Sequence, residues 1–120
     1  MKIKLSILIL LILCMSSCVN TQKSNEALVY KFEITGTFNS TKMYSNTIMF
    51  TDPEGNPHTW NNVTSGWSYS WEQKGQKQIT IDAMNTSGEG DMVIKLYRNN
   101  ELIETKIGYG GGFPSIIGSY

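Results

Sequence analysis

From residue 28 onward, apolar and polar positions alternate in short runs. In residues 28–38, Leu28, Tyr30, Phe32 and Ile34 fall on one side and Lys31, Glu33 and Thr35 on the other, which is the period of a half-buried strand. Residues 44–51 repeat the pattern with Tyr44, Ile48 and Phe50 and stop at Asp52-Pro53-Glu54-Gly55, where Asp, Pro and Gly take the corners a type I turn prefers. A weaker strand over 58–63 returns from that turn. Residues 66–73 set Trp67, Tyr69 and Trp71 at a strict period of two, so three large rings point to the same face. Lys74-Gly75-Gln76 then turns the chain into 78–84, where Ile79, Ile81 and Ala83 face one way. Residues 92–98 and 101–107 flank Asn99-Asn100, a two-residue hairpin turn because Asn tolerates positive φ. A glycine-rich segment at 108–112 precedes a last apolar stretch at Ile116 and Ile117.

No helical period of useful length interrupts these runs. About seven short strands, with turn signals every 8–12 residues or so, predict an all-β, immunoglobulin-like antiparallel β-sandwich. An up-and-down barrel is the alternative. The domain occupies residues 27–120, inside the usual size range of a single core.

The first residues follow a different pattern. Lys2 and Lys4 precede an apolar run over 5–15 that ends in Ser16, Ser17 and Cys18. The run has about 11 residues, against roughly 20 for a membrane-spanning helix, so it reads as the core of an export signal. Met15-Ser16-Ser17-Cys18 resembles a lipobox, in which the cysteine thiol receives a diacylglycerol before the peptidase cuts. Met takes the place of the preferred Leu, and Ser17 supplies the small residue before the cut. Cys14, the competing cysteine, follows the bulky Leu13. The expected division is therefore a signal peptide over 1–17, a lipidated Cys18 with a polar tether over 18–26, and the β-domain. More than one acyl chain on Cys18 would give durable membrane attachment. The tether lacks the run of Asp and Glu found in some surface-export signals. The expected placement is a membrane anchor facing the periplasm, outer membrane ahead of inner.

Charge and chemistry narrow the function classes. Ten basic and ten acidic side chains balance over the whole chain, and loss of Lys2 and Lys4 leaves the remainder slightly acidic. That is not a nucleic-acid footprint. Cys14 and Cys18 are the only cysteines, so the domain has neither a disulfide framework nor a thiol nucleophile. His58 is the only histidine, too few for a zinc site, and no nucleophile elbow surrounds any serine. Asp52, Glu54 and Asn56, like Glu89 and Asp91, read as turn residues because neither set has the spacing of a calcium loop. Tyr109-Gly110-Gly111-Gly112-Phe113 lacks the ending of a phosphate loop and reads as a flexible or bulged edge connection. Asn39-Ser40-Thr41, Asn62-Val63-Thr64 and Asn85-Thr86-Ser87 read as turns. These absences point to a non-enzymatic protein without cofactor or metal.

The aromatic set has two readings. Trp67, Tyr69 and Trp71 fit a core-facing strand, and a small sandwich without disulfides needs their buried area. The same rings, with Trp60, would also suit a platform for a carbohydrate or lipid. Trp60 lies on the weaker, more polar strand and is expected to be the most exposed of the four. Trp60, Tyr109 and Phe113 are the candidate ligand or partner contacts.

Several segments in order resemble one family. Val29-Tyr30-Lys31-Phe32-Glu33-Ile34-Thr35-Gly36-Thr37 resembles the VxYEVTGTA opening strand of small lipoproteins related to the MmpS family. Thr47-Ile48-Met49-Phe50-Thr51 is similar to its SITYT strand, and residues 62–71 are similar to its NVSLPWSYSF segment, with Gly66 where the family usually has Pro. Residues 91–99 resemble its SVTVKIYKDG hairpin. The resemblance implies an immunoglobulin-like sandwich in the cell envelope with no known enzymatic activity. The family's members serve as accessory subunits of lipid and siderophore exporters of the resistance-nodulation-division type. Mycobacterial members carry a transmembrane helix where this chain has a lipobox, so that role transfers only in outline. The expectation is a non-enzymatic envelope lipoprotein that serves an export or other membrane complex; the alternative is a ligand-binding lipoprotein with an aromatic sheet site. A small-molecule ligand is not specified by any motif.

Overall fold

The computed structural model describes residues 26–37, 46–86 and 88–120. The signal peptide, Cys18, Tyr44 and the Asn39 triplet lie outside the described residues. The strands are β1 (Ala27–Gly36), β2 (Thr47–Thr51), β3 (Pro57–Asn61), β4 (Trp67–Lys74), β5 (Gln78–Met84), β6 (Met92–Arg98), β7 (Glu101–Gly108) and β8 (Ser115–Ser119). They form two antiparallel four-stranded sheets, β4-β1-β6-β7 and β3-β2-β5-β8. The protein is a β-sandwich. The described residues form eight strands where the alternation predicts about seven, because Ile116 and Ile117 belong to a full strand.

Strand order places the chain close to the immunoglobulin arrangement. β3-β2-β5-β8 has the neighbours of C′-C-F-G, and β4-β1 those of E-B. The β6–β7 hairpin takes the place of strand A, although it arrives between the strands equivalent to F and G.

Alternation sets the core. Tyr30, Phe32 and Ile34 from β1, Met92, Ile94 and Leu96 from β6, Ile48 and Phe50 from β2, and Ile79, Ile81 and Ala83 from β5 are all buried between the sheets. A one-residue slip in any of these strands would turn that strand's own buried residues to solvent, so the alternation also fixes register. Both predicted turns form. Gly55 N donates to Asp52 O at 2.9 Å, and Asn99 and Asn100 take φ of 48° and 65°, the pair of positive angles a type I′ hairpin needs. In β7 one extra residue, Ile103, interrupts the ladder between Leu96↔Glu104 and Tyr97↔Leu102 as a β-bulge.

The two ends of the sandwich differ. One end holds Glu26 and Ala27 at the start of β1, the 52–56 turn, the 75–77 turn and the Asn99-Asn100 hairpin. The other holds the loops at 62–66, 85–91 and 109–114.

Candidate functional site

Three regions gather the residues singled out above, beginning with the aromatic rings. β3 and β4 are edge strands of opposite sheets, and their inward side chains meet. Trp60 lies 4.9 Å from Trp67 and 4.8 Å from Tyr69, centroid to centroid. Trp71 lies 4.9 Å from Phe50 and stacks on Tyr30 at 5.4 Å. Phe32, fully buried at the centre, contacts Phe50, Trp60, Trp67, Tyr69 and Trp71. The tilts are mostly 42–58°, between stacked and edge-to-face, and avoid the face-to-face sandwich that ring quadrupoles disfavour. Trp67, Tyr69 and Trp71 share one face as alternation requires, but all three are half-buried rather than deep, because β4 is an edge strand. Trp60 is half-buried as well and packs against the same cluster.

His58 extends this cluster, stacked between Phe50 at 5.9 Å and Trp60 at 5.8 Å. Its Nε2 lies 2.9 Å from Asp52 Oδ2. The carboxylate can only accept, so the ring nitrogen donates. Asp52 also accepts from Glu54 N, Asn56 N and Asn56 Nδ2. The His58 hydrogen bond, aided by those from Asn56 and Glu54 against some desolvation, holds the Asp52 carboxyl down at about 2 from an ordinary 3.8. The pair fixes the β2–β3 turn and the ring's orientation. Among the described residues no three His, Cys, Asp or Glu side chains converge as metal ligands.

At the far end of the molecule, Tyr109 and Phe113 are 71% and 66% exposed. The loop between them, read from the sequence as a flexible or bulged edge connection, is held by several hydrogen bonds. Gly112 N donates to Tyr109 O at 2.9 Å across Gly110 (φ 55°) and Gly111 (φ 84°), a type I′ turn that side chains other than Gly or Asn resist. Gly111 N donates to Gly90 O at 2.8 Å, and a Cβ on Gly111 would meet Gly88 at 2.6 Å. Gly110 N donates to Asp91 Oδ1 at 2.9 Å.

No protein-family model and no curated relative matches the chain. The likeness to the MmpS family therefore stays an expectation, and function has to be argued from these regions themselves.

Of the three candidate contact residues, Tyr109 and Phe113 share one loop, whereas Trp60 faces into the sandwich on the opposite side. Asp91, which the sequence marks only as a turn residue, organises the loop end. Besides Gly110, its backbone oxygen accepts from Thr37 N and its N–H donates to Thr37 Oγ1, tying the end of β1 to the 85–91 and 109–114 loops. Its partners are 54 and 19 positions away, and no local pattern announces such pairings.

Proposed function

We propose that the chain is a lipid-anchored envelope protein without enzymatic activity, which offers its glycine-loop end to a protein partner. The observation that carries this reading is the placement of Tyr109 and Phe113 at the opposite end of the sandwich from Ala27, where the tether enters. Ten residues of β1 separate the two ends, roughly 33 Å at strand rise. A lipid on Cys18 would hold the Ala27 end toward the membrane, and the two exposed rings would then stand away from it. Large aromatic side chains on a rigid support lose little freedom when covered, which suits them to anchor an interface. The resemblance to exporter accessory subunits makes a membrane complex the kind of partner to look for first.

The test has two arms. Substituting Cys18→Ser should abolish fatty-acid labelling and release the protein from membranes or leave its signal uncut. Photoreactive residues placed at Tyr109 and Phe113 in intact cells should capture an envelope protein, whereas one at Glu54, at the tether end, should not. Equal capture from all three positions would remove the case for a distal docking end. Calorimetric binding of a glycan or lipid, with no protein adduct, would favour the ligand-binding alternative.

A further inference from the structure

We propose that β8 is a self-pairing edge, through which two copies of this chain join their β3-β2-β5-β8 sheets into one continuous sheet about a twofold axis. The inference rests on β8 alone and does not depend on the lipid anchor.

Among the described residues, β8 pairs with β5 on one side and with no strand on the other. The reciprocal bonds Lys77 N→Tyr120 O and Tyr120 N→Lys77 O, and Ala83 N→Pro114 O, fix which backbone groups face β5. Antiparallel parity then turns the N–H and C=O of Ser115, Ile117 and Ser119 to the open side. One contact touches that row, from Gln76 Nε2 to Ser119 O at a long 3.5 Å.

The other three edges are blunted in familiar ways. β3 begins at Pro57, β4 carries Glu72 and Lys74, and β7 has a bulge together with Glu101, Glu104 and Lys106. β8 has no charge, no proline and no bulge, and its Ile117 is 66% exposed. The outer face of its sheet, with Met49, Thr80 and Ile117, carries a single charged side chain among the described residues, Asp82, which accepts from Ser115 Oγ at 2.5 Å.

What selects a second copy as the occupant is the strand's own sequence, Ser115-Ile116-Ile117-Gly118-Ser119. Reversed against itself and centred on Ile117, it sets Ser115 opposite Ser119, the bulky Ile116 opposite Gly118, and Ile117 opposite Ile117. This register also matches the outward-facing groups, because Ser115, Ile117 and Ser119 meet only one another. Every outward N–H and C=O of the strand gains a partner, and Ile117 is covered by its own copy. A twofold pairing of this kind closes on itself and leaves no further β8 edge exposed.

The test uses the full chain in mild detergent with a short bis-maleimide, the wild-type chain with Cys14 and Cys18 setting the background. In a hydrogen-bonded antiparallel pair the two Ile117 Cα atoms would lie about 5.5 Å apart. Ile117→Cys should cross-link to a dimer at least about ten times faster than Met49→Cys, whose copies would lie roughly 27 Å apart, five strand spacings across the sheet and four residues along it. Mixed Ser115→Cys and Ser119→Cys chains should join to each other faster than either joins to itself. Ile117→Lys, at an exposed site that leaves the domain folded, should shift the sedimentation of the detergent-solubilised protein from dimer to monomer. Cross-linking of Met49→Cys as fast as Ile117→Cys, like-with-like joining of Ser115→Cys, a monomeric wild type, or an adduct to a different protein would each overturn the proposal.

Discussion

The two long sides of the sandwich are closed by different balances of apolar and polar contact. Between β3 and β4, four half-buried rings and His58 fill the gap, and the contacts are almost all dispersion and ring quadrupole. Between β7 and β8, Ile103 and the Tyr120 ring add a smaller apolar contribution, and the Tyr120 hydroxyl donates to Glu104, whose other oxygen lies 3.6 Å from Lys106 Nζ. Closure by rings removes a large apolar area from water, whereas closure by a hydrogen bond exchanges one set of polar partners for another and gains little net. The first side should therefore hold the sheets together, and the second should mainly set how β7 and β8 sit. The same difference bears on function, because the strongly closed side is occupied by its own rings and the lightly closed side retains the uncovered β8 edge and the Tyr109–Phe113 loop.

The largest expected effect is at the centre of the aromatic side. Phe32→Ala should cost about 3–5 kcal/mol, close to the whole stability of a small domain, and should shift the urea midpoint sharply downward. Trp71→Ala removes a half-buried ring and also the donor to Gln73 Oε1 at 3.1 Å, so a loss of about 2–4 kcal/mol is expected in the same measurement. On the polar side, Tyr120→Phe keeps the ring over Gly118 and deletes the hydroxyl that reaches Glu104; about 0.5–1.5 kcal/mol is expected. A Tyr120→Phe loss as large as that of Phe32→Ala would overturn the contrast between the two sides.

Acid offers the mildest probe. The folded Asp52 carboxyl sits below its ordinary value, so its contribution to stability is complete above about 4 and disappears as pH falls through about 2. Thermal midpoints should therefore decline through that window in the wild type and less steeply in Asp52→Asn, with denaturation followed by tryptophan fluorescence.

Alternation made most of the fold legible. The buried faces of β1, β2 and β5 lie where Phe32, Phe50 and Ile81 place them, and both type-specific turns follow from Asp52-Pro53 and Asn99-Asn100. Exposure along β4 was less readable, since period two tells which side a residue faces but not whether its strand is central or an edge. The polar look of β3 has a similar source: Pro57, Thr59 and Asn61 occupy its outer face, while Trp60 packs inward. The tight glycine loop and Asp91 depend on pairings between distant loops, which leave no local trace in composition.

The strand order has a kinetic consequence. β1 is a central strand whose neighbours, β4 and β6, begin about forty and sixty-five residues later, and the β5–β8 pair encloses the whole β6–β7 hairpin. A chain made from its N-terminus therefore presents the apolar face of β1 long before either partner exists, and β5 keeps one side open until the last strand arrives. Such long-range topologies fold slowly for their length, and their exposed strands can pair wrongly in the interval. The alternating lysine and glutamate on the outer face of β1, Lys31 and Glu33, leave only one side of the waiting strand adhesive.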